Sequence, residues 1–290
     1  MKSQINAAWL LMLPAVLLMG FVALLPLIAV FNYSFHDIFS LYEAYWVGTE
    51  WYYAIVSSPL FWASLGRSAL FSMLVLGIQL PLGIGVALML RRARPGFAIL
   101  MLMCVAIPLV VPANMIAGLW LALVRPEGLG GQALAALAID FDYKFVAVHT
   151  WILILVVDTW HWLGLVVVLA YAGLSAIPPA YYQAAAVDGA SRVDVFRWIE
   201  LPQISGTMWI VLLLRLVDSF MIYTEAMTIN AGGPNGATTF LSLELGEEIK
   251  AFNYGIAAAR AMVDFLVILT VVWIFVKLRK SGRDPATEAA

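Results

Sequence analysis

Six long apolar runs organise the chain, at about 8–31, 64–90, 97–124, 147–174, 206–224 and 255–277. A helix needs about 20 apolar residues to cross the hydrocarbon core of a bilayer. The runs are too long for the strands of a membrane barrel, and lipid offers backbone groups no partners, so each run is predicted to be an α-helix. The fifth run is the least uniform, because Arg215 and Asp218 interrupt it. Lys2 precedes the first run as in an export signal. The run is longer than the 7–15 apolar residues of such a signal, and no A-x-A pattern follows it, so a retained span is expected.

The stretches between runs differ in kind. Residues 32–63 carry Trp46, Trp51, Tyr52, Tyr53 and Trp62, as suits rings at a headgroup boundary. "NAGGPNGATT" (Asn230 to Thr239) reads as a turn region. "YYQAAAVDGASRVDVFRWIELPQ" (Tyr181 to Gln203) is the exception, a polar and punctuated segment between two apolar runs. Pro178 and Pro179 end the fourth run, and Pro179 is placed to open a new helix. Ala-rich residues 180–187 should be helical, and Asp188-Gly189 should stop them. Ser191 can cap a second short helix over 192–199, with Pro202 closing it. The result is a bracket of two short helices. Its residues alone allow two readings, an amphipathic linker on the headgroups or a small-residue surface that docks into a partner's groove.

Composition agrees with the pattern. Of 290 residues 63% are hydrophobic and 12% charged, against about 25% charged in soluble domains. Mean hydropathy is +0.94 and net charge −2, which argues for a membrane protein and gives no sign of nucleic-acid binding. Cys104 is the single cysteine, so neither a disulfide nor a cysteine metal site is expected. Lys and Arg placement sets an orientation. With a cytoplasmic N-terminus, that side receives ten (Lys2, Arg91, Arg92, Arg94, Arg192, Arg197, Lys277, Arg279, Lys280, Arg283) and the other three (Arg125, Lys144, Lys250). Both termini and the bracket are therefore expected inside.

The bracket resembles the signature loop of permease subunits of binding-protein-dependent ABC importers. That loop reads E-A-A-x-x-D-G-A, five free positions, then F-x-x-I-x-L-P. Here Gln183, Ala184, Ala185, Asp188, Gly189, Ala190, Phe196, Ile199, Leu201 and Pro202 stand at matching spacing. Gln183 replaces the usual Glu, which removes the charge for an ionic contact. "IPLVVPANMIAGLW" (Ile107 to Trp120) resembles the family's third span. "AGGPNGATT" with "AFNYGIAAARAM" resembles carbohydrate permeases of the MalF and UgpA group. "DSFMIYTE", "GGP" and "TTFLS" look most like its glycerol and polyol importers.

The resemblance implies an all-α integral membrane protein of six transmembrane helices with the type I ABC importer permease fold and cytoplasmic termini. Residues 1–62 would hold the first span and first periplasmic loop. Residues 63–277 would form the transmembrane domain with its coupling loop at 175–205, and 278–290 the tail. It further implies a sugar or polyol cargo, with a glycerol-like one closest to the last of these motifs, and a multi-pass place in the bacterial inner membrane. The implied partners are a second homologous permease, a periplasmic or lipid-anchored binding protein, and two ATPase subunits that carry ATP and Mg and grip the signature loop. This chain would bind no cofactor itself. Consistently, it holds no G-x-x-x-x-G-K-[ST] loop and no H-E-x-x-H, and "GLGGQ" and "GIGVA" lack the spacing and the Lys. No nucleophile–base or metal constellation supports an enzyme.

Charges within spans need partners or purposes. Asp158 and His161, Arg215 and Asp218, and Arg260 and Asp264 sit three or four apart, so local neutralisation is expected, with Arg260–Asp264 a structural ion pair. A hydroxyl-bearing cargo also needs carboxylates and amides along its path. Asn114, Asp158, Asp218 and Tyr223 are the candidates, with Asp218 equally able simply to neutralise Arg215. Trp160 and Trp162 fit packing or headgroup roles. The alternative reading is a proton-coupled secondary transporter using Asp158, His161 and Asp218. Gly77, Gly83 and Gly85 are expected to let span two approach a neighbour closely.

Overall fold

The computed structural model describes residues 2–40 and 43–281; most of the expected tail, from 282 on, lies outside them. Among the described residues, five helices are long and apolar enough to cross a membrane: Leu10–Tyr33, Pro59–Arg92, Ala147–Ser175, Arg192–Phe220 and Tyr254–Arg279. The expected third span is not one helix. It is a pair, Pro95–Val110 and Ala113–Ala136, bent by 104°. The reason lies in Pro112, which has no N–H to give the Pro108 carbonyl and holds Val111 in extended backbone. The Val111 N–H (3.2 Å) and the His161 ring nitrogen Nδ1 (2.9 Å) occupy that carbonyl instead.

The contacts divide the chain into two compact units, one from residues 1–62 with 244–290 and one from 63–243. In the first, α1 (Lys2–Tyr33) runs into a hairpin of β1 (His36–Ser40) and β2 (Glu43–Trp46), followed by α2 (Glu50–Ser57). The aromatic segment thus folds into local structure rather than a plain loop. Phe35 stacks on Trp46 at 5.4 Å, and Trp51 Nε1 donates to the His36 carbonyl at 3.1 Å. The last helix, α13 (Tyr254–Ser281), packs on α1, α2 and β1. In its span α1 buries nothing, which suits a helix whose solvent is lipid.

The second unit holds most of α3 (Pro59–Arg92), then α4 (Pro95–Val110), α5 (Ala113–Val124), α6 (Leu129–Ala136), α7 (Ala147–Ser175), α8 (Pro179–Val187), α9 (Arg192–Val195), α10 (Leu201–Phe220) and α11 (Thr224–Asn230). The remaining helix, α12 (Leu241–Lys250), begins at its end. Helix α7 is central and packs against α4, α5, α10 and α11. Two apolar clusters run along it. Phe71, Ile116, Ile154, Val157 and Phe240 fill one end, and Ala87, Val166, Ala170, Leu174 and Ile204 the other. Close approach depends on two glycines. A methyl group at Gly83 would meet the Val166 side chain at 2.5 Å, and one at Gly164 the Val105 carbonyl at 2.1 Å. Gly77 and Gly85, expected to do the same, face open space.

Candidate functional site

The bracket forms as its residues dictate, with one difference. Pro178 and Pro179 open α8, and a Schellman motif closes it. The Ala190 N–H reaches the Ala185 carbonyl (2.9 Å) and the Gly189 N–H the Ala186 carbonyl (3.3 Å). Gly189 makes this possible with a φ of +68°, in the left-handed region that favours glycine. Ser191 then caps α9 in a capping box. Its Oγ accepts from the Asp194 N–H at 3.2 Å, and Asp194 Oδ2 accepts from the Ser191 N–H at 3.1 Å.

The expected stop at Pro202 does not occur. Helix continues from Arg192 to Phe220 through a π-turn at Phe196–Glu200, so the second arm of the bracket is the start of the fifth span. The wider turn stands directly before Leu201-Pro202 and accommodates the proline, which has no N–H to give, without breaking the helix. The span then ends at Phe220, three residues short of Tyr223, which caps α11 instead.

Helix α8 has two sides. Gln183, Ala184, Ala186, Val187 and Asp188 are exposed, whereas Ala185 is buried and Tyr182 half-buried. Among the signature residues of α8, then, Ala185 faces the body of its unit, and beyond the helix Ile199 packs on the Ala87–Ile204 cluster. Tyr182 belongs to a brace absent from the sequence reading. Arg91, at the end of α3, donates to the Tyr182 hydroxyl and, at 3.1 Å, to Glu200 Oε1 in the π-turn. Its guanidinium carbon also lies 4.2 Å from the Tyr182 ring centroid. Burial pushes the Tyr182 hydroxyl above its ordinary pKa, so it stays a neutral donor to Glu200 at 3.4 Å. One arginine thereby ties α3, α8 and the root of α10 together.

A second polar cluster lies inside the spans. Arg215, 1% exposed, donates Nη2 to Asp158 Oδ2 at 2.6 Å, Nε to Gln79 Oε1 at 2.9 Å, and Nη1 to Asp218. The Gln79 amide closes the ring by donating Nε2 to Asp158 Oδ2 at 2.8 Å. The Trp162 ring covers the guanidinium at 4.7 Å. Charge removed from water must be neutralised and hydrogen-bonded, and this arrangement does both. Arg215 pairs with Asp218, as expected. Asp158 does not pair with His161; it faces Arg215 on α10, while His161 serves the Pro108 carbonyl. Among the candidate path residues, Asp158 is buried, and Asp218, with a side chain 47% exposed, is the part of the cluster open to surroundings. Asn114 is exposed in the first turn of α5, and Tyr223 is half-buried against the Phe71 cluster.

The expected Arg260–Asp264 ion pair is also not the arrangement found. Arg260 pairs with Glu244 of α12 and lies 4.0 Å from Glu248, and both Asp264 oxygens are buried without a hydrogen-bond partner among the described residues. Gln79, Arg91 and Glu200 join these clusters without being candidates from the sequence. A lone amide in the apolar run "LGIQLPLG" and a glutamate next to the start of a span were the available signals.

Several helices of membrane-crossing length and apolarity, with a capped bracket leading into Arg192–Phe220, define a multi-span membrane protein. The chain belongs to the family of binding-protein-dependent transport system inner membrane components, which its residues 79–280 match. It is a multi-pass inner-membrane permease of the ABC importer class and not the catalytic subunit. Its relatives include the trehalose/maltose transport system permease protein MalF of Thermococcus litoralis, 29% identical and covering 97% of this chain and 96% of that one. The sulfoquinovosyl glycerol transport system permease protein SmoG of Agrobacterium fabrum is 24% identical, with coverage of 93% and 89%. A bacterial ABC transporter involved in the import of the acidic polysaccharide alginate shares the fold, with a TM-score of 0.81, 22% identity, and coverage of 97% and 99%. The fold is therefore that of type I importer permeases. The proton-coupled alternative finds no support, since Asp158 and His161 are engaged with different elements rather than with each other.

Proposed function

We propose that this chain is one half of the translocation path of an ATP-driven importer for a glycosidic solute, a sugar or a sugar-bearing polyol. The cargoes for which its relatives are named favour that class: trehalose/maltose, sulfoquinovosyl glycerol and starch degradation products. A similar solved structure holds an alginate pentasaccharide-bound periplasmic protein, which supports a binding protein as the source of cargo. The ten-to-three distribution of Lys and Arg supports cytoplasmic termini. Two ATPase subunits, carrying ATP and Mg, would then grip the exposed side of α8 at Gln183, Ala184 and Asp188, and a second permease would complete the path.

The observation that carries this reading is the Schellman-closed, capping-boxed bracket, rigid at both ends and braced to α3 through Arg91. A stiff element can transmit a push; a floppy loop cannot. Asp218, tethered yet half-exposed, would accept hydroxyl hydrogen bonds from cargo, and Asn114 and Tyr223 would add to the path from α5 and α11, which pack on each other. The test is ATP hydrolysis by the reconstituted complex with its binding protein, read against disaccharides, a glycosyl glycerol and free glycerol. Stimulation by a glycoside is expected. Stimulation by glycerol alone would move the cargo to simple polyols, and uptake driven by a proton gradient without ATPase would end the proposal.

A further inference from the structure

Asp264 is 1% exposed within the span Tyr254–Arg279, and neither of its oxygens has a hydrogen-bond partner among the described residues. Its charged neighbours Glu244 and Arg260 are also buried, and Glu244 Oε1 and Arg260 Nε stand equally unpaired. A buried polar group without a partner is costly. The unmet demand is thus gathered in one corner of the first unit, around a single guanidinium.

That guanidinium faces α12. Arg260 Nη1 donates to Glu244, and Nη2 lies 4.0 Å from Glu248 Oε1. Asp264 stands four residues further along α13, at the spacing where an arginine and a carboxylate of one helix can meet. The guanidinium is a rigid planar fork, so turning it toward Asp264 takes it from Glu244. The two carboxylates differ in what they suffer when the arginine leaves. Helix α12 lies outside every candidate span, so Glu244 regains water if α12 lifts. Asp264 lies within a span, where lipid offers it no donor. Glu248 keeps a partner in either case, because Asn253 donates Nδ2 to its Oε2 at 2.9 Å. The joint between α12 and α13 spans only 251–253 and holds Phe252 at a φ of +63°, a left-handed conformation that is costly for a bulky residue.

We propose that Arg260 exchanges partners during the transport cycle, pairing with Glu244 while α12 is docked and with Asp264 when α12 lifts. The pair Arg260–Glu244 latches α12 onto the last span in one state; the pair Arg260–Asp264 stabilises the other state, in which α12 is free. The pair expected from sequence and the pair found are then two positions of one side chain. The exchange depends on the permease class and on no particular cargo.

The test uses the reconstituted transporter with its ATPase and binding protein, on a Cys104→Ser background. Spin labels replace Glu247 on α12 and Phe265 on α13, both exposed. Two label separations are expected across the nucleotide-free and ATP-trapped states. Asp264→Asn should keep the docked separation and lose the lifted one, and ATP-driven uptake should fall several-fold. Glu244→Gln should populate the lifted separation before nucleotide is added. Asp264→Leu should melt no lower than wild type, because it removes a buried carboxylate that has no partner in the docked state, yet it should also lose uptake. Asp264→Glu, which keeps the carboxylate, should recover part of the uptake. One separation in every state would overturn the exchange. So would undiminished uptake in Asp264→Asn, or a loss of uptake in Asp264→Asn and Asp264→Leu that only follows a loss of melting temperature.

Discussion

Glycines mark what a single residue can decide here. Gly164→Ala should lower the stability of the detergent-solubilised protein by about 1–3 kcal/mol, because its methyl group has backbone rather than a yielding side chain in its way. Gly77→Ala, facing open space, should stay within about 0.5 kcal/mol of wild type. Thermal melts of the two variants check the contrast, and equal shifts would contradict the packing of α4 on α7. The sequence shows that a residue is small but not what stands opposite. Gly77, Gly83 and Gly85 therefore look alike in sequence, and nothing in "HWLGLVV" singles out Gly164. Gly189 was legible for a different reason: a Gly after an Ala-rich helix and Asp is a local signal, and its role needs no knowledge of distant residues.

Elements whose boundaries are set by adjacent residues are legible in the sequence, and those shaped by compensation are not. The start of α8 at Pro179, its end at Gly189 and the Ser191 cap all follow from adjacent residues. Pro112 and Pro202 show the limit. Both remove a backbone donor, yet one produces a 104° break and the other is absorbed by a π-turn within a continuous helix. Which outcome prevails depends on what surrounds the freed carbonyl, and for Pro108 that includes His161, 53 residues away. For the bracket as an element, Gly189→Pro should abolish co-purification of the ATPase while membrane insertion persists, since proline's fixed φ near −65° cannot replace +68°. Normal co-purification would count against docking on α8. Tyr182→Phe removes the acceptor for Arg91 and the donor to Glu200 but keeps the ring. It should cut ATP-driven uptake several-fold while ATPase binding persists; unchanged uptake would make the brace merely structural.

At the scale of the whole molecule, the polar cluster was half legible. Arg215 and Asp218 are three apart on one helix and were expected to meet. Gln79 and Asp158 reach Arg215 from elsewhere in the chain, and no local spacing announces that. Arg215→Met would leave Asp158 buried without its cation and should cost about 3–5 kcal/mol. Adding Asp158→Asn should recover much of that loss, measured by melting of both variants beside Asp158→Asn alone. Asp218→Asn, at the exposed edge, should reduce cargo flux more than assembly, and undiminished uptake would remove it from the path.

The Arg215 cluster also limits how the protein can move. With α3, α7 and α10 riveted by one guanidinium, those three helices must travel as a single block through any cycle of opening and closing. The flexing then falls on the joints beside them, at Val111–Pro112 and between Phe220 and Thr224. Spin labels placed across the block should keep one separation in every nucleotide state, while labels straddling either joint should report two.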